Sequence, residues 1–308
     1  MISATASIQP AIAHARRILF EPFDAKKWFV LGFSAFLAHL GGGGSYNYNG
    51  NPFNRGTRDG MDFSSVTAWV SAHLALVIAL GILALLIILA LSLLFIWLGS
   101  RGQFMFLDGV ARNRAEIVEP WTRLRSAGNE LFGLRVKLLL VGIALFIVCG
   151  GLGALIALPD IQARHFGTSA IVALLVGGGL LVLGLLALGL VGALLRDFVV
   201  PIMYHRGVVV SEAWAILGQE LLAGNALAFV RFYLLGILLW IAAAVIMVLG
   251  CCLTCCLALL PYLSSVVFLP IFVFFRCYSL EFLGQFGEAW RIIQVAQPEI
   301  STEATLGD

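Results

Sequence analysis

The chain is 308 residues long, 61% hydrophobic and only 12% charged, with a mean hydropathy of +0.99. Soluble domains are about half apolar and a quarter charged, so this balance excludes a water-soluble globule, a disordered tail and a nucleic-acid-binding module. Nineteen Lys and Arg against seventeen Asp and Glu leave a net charge of +2, so any electrostatic role depends on where the charges sit, not on a global field.

Met1 to Gln9 lacks the basic start and apolar centre of a secretory signal, so the first span is expected to be retained. Ile8, Ile12, Ala15 and Leu19, backed by His14, Arg16 and Arg17, predict an amphipathic helix lying in the membrane interface. A crossing helix needs about 20 mostly apolar residues. Six stretches are candidates: Trp28 to Leu40, lengthened from about Phe23; Val66 to Leu98; Leu138 to Leu158; Ser169 to Leu195; Phe232 to Leu260; and Leu263 to about Leu283. Between the first two, residues 41–65 are rich in Gly, Asn and Tyr and read as a flexible loop. With six spans, sixteen Lys and Arg fall on the side that holds both termini and three (Arg55, Arg58, Arg164) on the other. The positive-inside rule then places both termini in the cytoplasm of a multi-pass protein of the cell membrane.

The sequence repeats itself. Glu119-Pro120-Trp121, Glu212-Ala213-Trp214 and Glu288-Ala289-Trp290 are each followed, three residues after the Trp, by Leu124, Leu217 or Ile293. Gly128-Asn129 leads to Arg135 as Gly224-Asn225 leads to Arg231. The expected fold is all-α: six transmembrane helices arranged as three parallel helical hairpins, with cytoplasmic amphipathic helices between them. It forms one membrane domain over 1–308, with units at about 20–110, 111–205 and 206–285 and a C-terminal amphipathic helix and tail over 286–308. In each unit Trp and the aliphatic residue three later share a helix face. Trp121, Trp214 and Trp290 are therefore expected at headgroup depth, and Arg135 and Arg231 are expected to snorkel to lipid phosphates. Gly-Asn is expected to break each interfacial helix before the next span. Small residues, among them Ala173, Gly177 and Gly153, predict close helix approach.

The segment Ser211-Glu212-Ala213-Trp214-Ala215-Ile216-Leu217 with Gly224-Asn225, echoed from Trp121 to Asn129, resembles a set of uncharacterised six-span prokaryotic membrane proteins. It is similar to the membrane domain fused to some glycerophosphoryl diester phosphodiesterases, in which such a segment joins successive spans. The resemblance implies membrane placement and not hydrolysis, because no hydrophilic domain of the size of the phosphodiesterase barrel is present. The P-x-[DE]-x-x-[KR] motif of mitochondrial-type solute carriers occurs once, from Pro22 to Lys27, ahead of the first span, which excludes that family.

Ionisable residues inside spans are costly and usually functional. The first five spans carry none away from their ends. In the sixth, Arg276 and Glu281 lie about 140° apart on a helix and are poorly placed to pair. Either both are interfacial, or Arg276 faces the bundle interior as an anion contact. Cys251, Cys252, Cys255 and Cys256 stack in two helical stripes and suit apolar packing, a disulfide with Cys149, or a thiophilic metal. His39, His73, His165 and Asp160 are a scattered set near the expected outer face, read as boundary residues before ligands. No nucleophile–base pair, phosphate loop or dinucleotide fingerprint is visible, so neither a catalytic residue nor a cofactor is expected. The expected function is non-enzymatic: scaffolding, lipid organisation or partner binding. A passive permease for lipid or small solutes, and an accessory subunit of a membrane lipid enzyme, are the alternatives. Membrane lipids are the expected partners, with a membrane protein or a second copy of the chain besides, and no nucleic acid.

Overall fold

The computed structural model describes residues 2–40, 72–163, 167–253 and 261–293. These are helical, with no strand among the described residues. In chain order the helices are α1 (Ile8–Phe20), α2 (Ala25–Leu40), α3 (Leu74–Ala111), α4 (Val118–Arg123) and α5 (Arg125–Ala163). Next come α6 (Thr168–Arg206), which is continuous but contains two π-helical turns, and α7 (Val210–Ile216), which runs into a third. Then follow α8 (Ala226–Leu253), α9 (Pro261–Val267) and α10 (Leu269–Gly284).

Four helices are long and apolar enough to cross a membrane: Leu74–Ala111, Arg125–Asp160, Thr168–Arg206 and Ala226–Cys252. They correspond to the second through fifth expected spans. The most apolar window belongs to α3, which has 38 residues. An α-helix of that length extends about 57 Å. The hydrocarbon layer of a bilayer is only about 30 Å thick, so α3 overshoots it. Burial divides the surplus. None of Leu74 to Leu98 is buried, whereas every residue from Gly99 to Ala111 is. A helix apolar on all sides is stable only in lipid, so the first stretch is a lipid-facing shaft and the second is part of a protein core. The other long helices divide likewise: α6 is exposed over most of its apolar length and buried from Phe198 to Met203, and α8 buries Phe229 and Phe232 at its start.

The base is where the chain packs. Phe198, Phe229, Phe232 and Phe282 form one aromatic cluster, with centroids 4.6–5.9 Å apart. α1 docks on α10. Gln285 Nε2 donates to Ser3 O at 2.9 Å and Ser7 Oγ at 2.7 Å, and His14 Nδ1 lies 2.8 Å from Glu281 Oε1. α2 runs along the buried part of α3, where Gly102 faces Leu37 and Gly109 faces Leu31. Between the shafts, α5 and α6 meet through small residues: a Cβ on Gly177 would lie 3.0 Å from both Cys149 O and Gly153 Cα. The stripe through Ala173, Gly177 and Gly153 is thus a contact surface, while Gly150 and Gly189 face open space.

Three expectations need correction. The stretch Leu263 to Leu283 is two helices, broken at Phe268 (φ −93°, ψ 12°), because Pro270 lacks an N–H and its ring crowds the preceding turn. Gly128-Asn129 does not break a helix but lies inside α5; the break falls earlier, at Leu124. Only the second copy breaks, at Gly224 with φ +80°, where glycine tolerates a left-handed backbone. Finally, the third E-A-W copy is a single 3-10 turn, Glu288–Trp290, entered through Gly287 at φ +137°, in place of the expected amphipathic helix; residues 294–308 lie outside the described ones.

At Gly102 a Cβ would lie 2.5 Å from the carbonyl carbon and Cβ of Leu37, whereas at Gly133 it would meet nothing within 4 Å. Gly102→Ala is therefore expected to cost about 1–3 kcal/mol and Gly133→Ala nothing or less than nothing. Thermal melts of the two variants in the same detergent check this; equal melting points would show that α2 does not seat on α3 as described.

Candidate functional site

The buried stretch of α3 carries four polar residues, Ser100, Arg101, Gln103 and Asp108, and burial obliges each to find partners. Ser100 Oγ donates to Ile96 O at 2.7 Å and accepts from Arg135 Nη1 at 3.3 Å. Arg101 donates through Nη2 to Asn129 Oδ1 at 3.1 Å, and its guanidinium lies 4.4 Å from the Trp97 ring and 4.9 Å from Trp121. Asp108 Oδ1 accepts from Tyr204 Oη at 2.6 Å and from Arg123 Nη2, with Arg112 Nε 3.3 Å away. The Tyr204 hydroxyl and the neighbouring Asp108 hold the Arg112 guanidinium above its ordinary value. Two atoms are left over: Arg101 Nε and Gln103 Oε1 are buried and have no partner.

Gln103 lines a cavity of about 300 Å³ between α2, α3, α6, α8 and α10. One wall is the π-helical turn Leu195–Val199, which presents Arg196 and Asp197. Their side chains pair through two contacts, Nε–Oδ1 at 2.8 Å and Nη2–Oδ2 at 3.2 Å, so their charges cancel locally. The turn has a second consequence. The Val200 N–H is spent on Leu195 O, and the next residue, Pro201, has no N–H to offer. The carbonyl of Arg196 therefore has no donor from its own helix. Arg276 of α10 supplies one, Nη1 donating at 2.8 Å.

That bond uses only part of the guanidinium. Arg276 is 7% exposed, its Nε has no partner, and among the described residues no carboxylate lies within 4.0 Å of it. Tyr233 Oη, from α8, is likewise buried and unpartnered. On the far side, His39 donates from Nδ1 to Ala35 O at 2.6 Å and packs 4.3 Å from the Phe272 ring; the carbonyl can only accept, which fixes the proton on Nδ1. The rest of the lining is apolar apart from Tyr278 and Ser279, whose hydroxyls donate to Phe232 O at 3.4 Å and Arg276 O at 3.0 Å. Ile237 and Trp240, both 59% exposed, belong to the lipid-facing shaft of α8, so the cavity opens toward lipid.

The residues singled out from sequence are spread over the base. Trp121 stands 5.9 Å from Trp97 at 87° and borders Arg101. Trp214 is half-buried against the core. Trp290 is buried, with the Arg206 guanidinium 4.5 Å from its ring. Arg135 is half-buried beside Ser100, and Arg231 is exposed. Arg276 faces the interior, and Glu281 pairs with His14 instead. Asp160 accepts from the backbone N–H groups of Gly167 and Ala170, at 2.9 and 2.7 Å, and so holds the start of α6. His73 precedes α3, and His165 lies outside the described residues. Cys149 and Cys252 are free thiols, so the disulfide, one of the three alternatives for this cluster, is not formed between them: Cys149 is buried where α5 meets α6, while Cys251 and Cys252 end α8. Cys255 and Cys256 lie outside the described residues. Of the sequence candidates, Arg276 and His39 reach the cavity. Sequence reasoning misses Gln103, Tyr233, Arg196 and Asp197. For the last two a usable signal exists: an Arg-Asp pair at the end of an apolar run, just ahead of a proline.

The chain belongs to a family of unknown function, DUF7544, which it matches over residues 2–263. No curated protein and no solved structure matches it.

Asp108 joins α3, α4 and α6 through Arg123 and Tyr204. Asp108→Asn is expected to lower stability by about 1–3 kcal/mol and Tyr204→Phe by about 1 kcal/mol. Because the two groups share one bond, the double variant should lose less than the sum. Thermal unfolding of the three proteins measures this, and strict additivity would sink the proposed coupling.

Proposed function

We propose that the chain is a non-enzymatic integral protein of the cell membrane that organises lipid through its base. Both termini lie in the cytoplasm in this reading, and the base is cytoplasmic. The sixteen-to-three division of Lys and Arg supports that orientation. Three parallel hairpins remain the preferred description of the chain. Its support is that all three E-x-W copies reach one base, Trp121 beside Arg101, Trp290 beside Arg206 and Trp214 against the shared core.

The observation that carries the reading is the division of labour along the long helices. Over their most apolar windows the four helices bury between 0 and 11% of their residues. A permease needs a protein-enclosed polar path at that depth, and these windows do not supply its walls. Buried polar chemistry is concentrated in the base instead, where exposed Arg16, Lys26, Arg125 and Lys137 add positive charge. Cationic residues beside a bilayer attract anionic headgroups, each contributing about 1 kcal/mol.

Lipids that co-purify with the protein in mild detergent, quantified by mass spectrometry against the membrane they came from, test the proposal. Anionic phospholipid is expected to be enriched several-fold in the bound pool, as a gain of about 1 kcal/mol per contact implies. A bound pool with the composition of the bulk membrane would refute it.

A further inference from the structure

Three residues that line the cavity each carry a buried atom without a partner: the Arg276 Nε, the Tyr233 hydroxyl and the Gln103 amide oxygen. Burying such groups costs free energy unless something completes them. They differ in kind. Arg276 and Tyr233 offer N–H and O–H, while Gln103 offers a carbonyl oxygen or, with its amide turned, an N–H. The neighbouring charges do not cancel Arg276, because Asp197 is engaged on both oxygens by Arg196. A cationic donor, a hydroxyl donor and an amide around one cavity suit an anion bearing several acceptor oxygens.

The shape narrows the class. Tyr233 and Met247 both line the cavity; fourteen residues apart on one helix, they are separated by about 21 Å. That exceeds the ~15 Å of hydrocarbon in one leaflet. Between them the lining is apolar, with Ile237 and Trp240 at a mouth among lipid-facing residues. A small water-soluble anion has no use for such a groove.

We infer that the cavity holds one anionic phospholipid, its phosphate bonded by Arg276 Nε and Tyr233 Oη and one acyl chain lying along α8 toward Met247. The inference rests on the lipid-organising reading and assigns it a site. The phosphate supplies the acceptors those two donors lack, and Gln103 meets a hydroxyl of the headgroup, as a glycerol head provides. Zwitterionic phosphatidylcholine fits less well, because it brings a quaternary ammonium close to the unpaired Arg276.

The test uses the full chain in detergent, with phosphatidylglycerol, phosphatidylcholine and inorganic phosphate as separate probes, and native mass spectrometry to count lipid retained. Wild type should keep one phosphatidylglycerol in preference to phosphatidylcholine, and excess inorganic phosphate should not displace it. Arg276→Gln should weaken retention about tenfold, and Tyr233→Phe less, as the loss of a charged and a neutral hydrogen bond implies. Since Arg276 also bonds Arg196 O, its variant can lose stability, so Gly236→Phe provides an independent arm. Gly236 lines the cavity, and a Cβ there meets nothing within 4 Å, so the ring fills the groove without displacing backbone. That variant should melt like wild type and lose the lipid, whereas Val118→Ala, at an exposed site outside the cavity, should keep it. Retention unchanged in Gly236→Phe overturns the cavity assignment while leaving lipid organisation intact. Displacement by inorganic phosphate overturns the lipid as the source of the anion. A wild type with no preference for anionic lipid defeats both readings together.

Discussion

A helix buried on every side imposes its needs on whatever surrounds it. From Gly99 to Ala111 every residue of α3 is buried, so its charged groups turn to other elements for partners, and those contacts fix the base. Asp108 draws in Arg123 of α4 and Tyr204 of α6. Arg101 is clasped by Trp97 and Trp121, and its Nη2 donates to Asn129 of α5. Gly102 and Gly109 leave room for α2. A guanidinium between two indoles can contribute about 1–2 kcal/mol once water is excluded, and charged hydrogen bonds of the Asp108 kind about 1.5–3 kcal/mol each. These are large beside the small net stability of any fold. They are available here because Asp108 and Arg101 are themselves buried, although Arg112 and Arg123 reach the surface.

The shafts obey a different rule. In lipid there is no hydrophobic gain in bringing apolar helices together, so association depends on close backbone approach. α5 and α6 have that approach at Gly153 and Gly177. α3 has no buried residue from Leu74 to Leu98. It needs none, because its backbone is satisfied internally and its side chains are as apolar as the surrounding acyl chains. The molecule is thus rigid where polar groups must be matched and loosely associated where they are absent.

The sequence made the helical class and the second to fifth apolar stretches legible, because hydropathy over about 20 residues is a strong and local signal. It did not show where each helix ends: α3 continues beyond Leu98 to Ala111, through Arg101 and Asp108, which read as connection because charge suggests solvent. Those charges are compensated by partners distant in sequence, such as Tyr204, and no local pattern encodes that. The two Gly-Asn copies illustrate the same limit. Identical dipeptides lie within a helix at 128–129 and end one at 224–225, since at the first site Gly128 makes room for Arg101 and at the second nothing presses on the backbone. Arg276 was legible as a costly charge in an apolar stretch. Gln103 and Tyr233 were not, because an isolated amide or phenol in a helix carries no signal until its neighbours are known.

Arg276 brings the two halves of the structure together. The π-helical turn and Pro201 leave the Arg196 carbonyl without a donor, and a lysine could complete it as well as an arginine can. What a lysine cannot do is donate in a second, fixed direction, because its ammonium is a point charge on a flexible stem, whereas a guanidinium is a planar fork. With Nη1 committed to Arg196 O, the orientation of the plane is set, and Nε is held where α6, α8 and α10 enclose the cavity. Completing the backbone of α6 therefore also preorganises a cationic donor, at no further conformational cost when an anion arrives. The same proline that deprives one helix of a hydrogen bond thereby positions a side chain from another, and that side chain lines the cavity beside the lipid-facing shaft of α8.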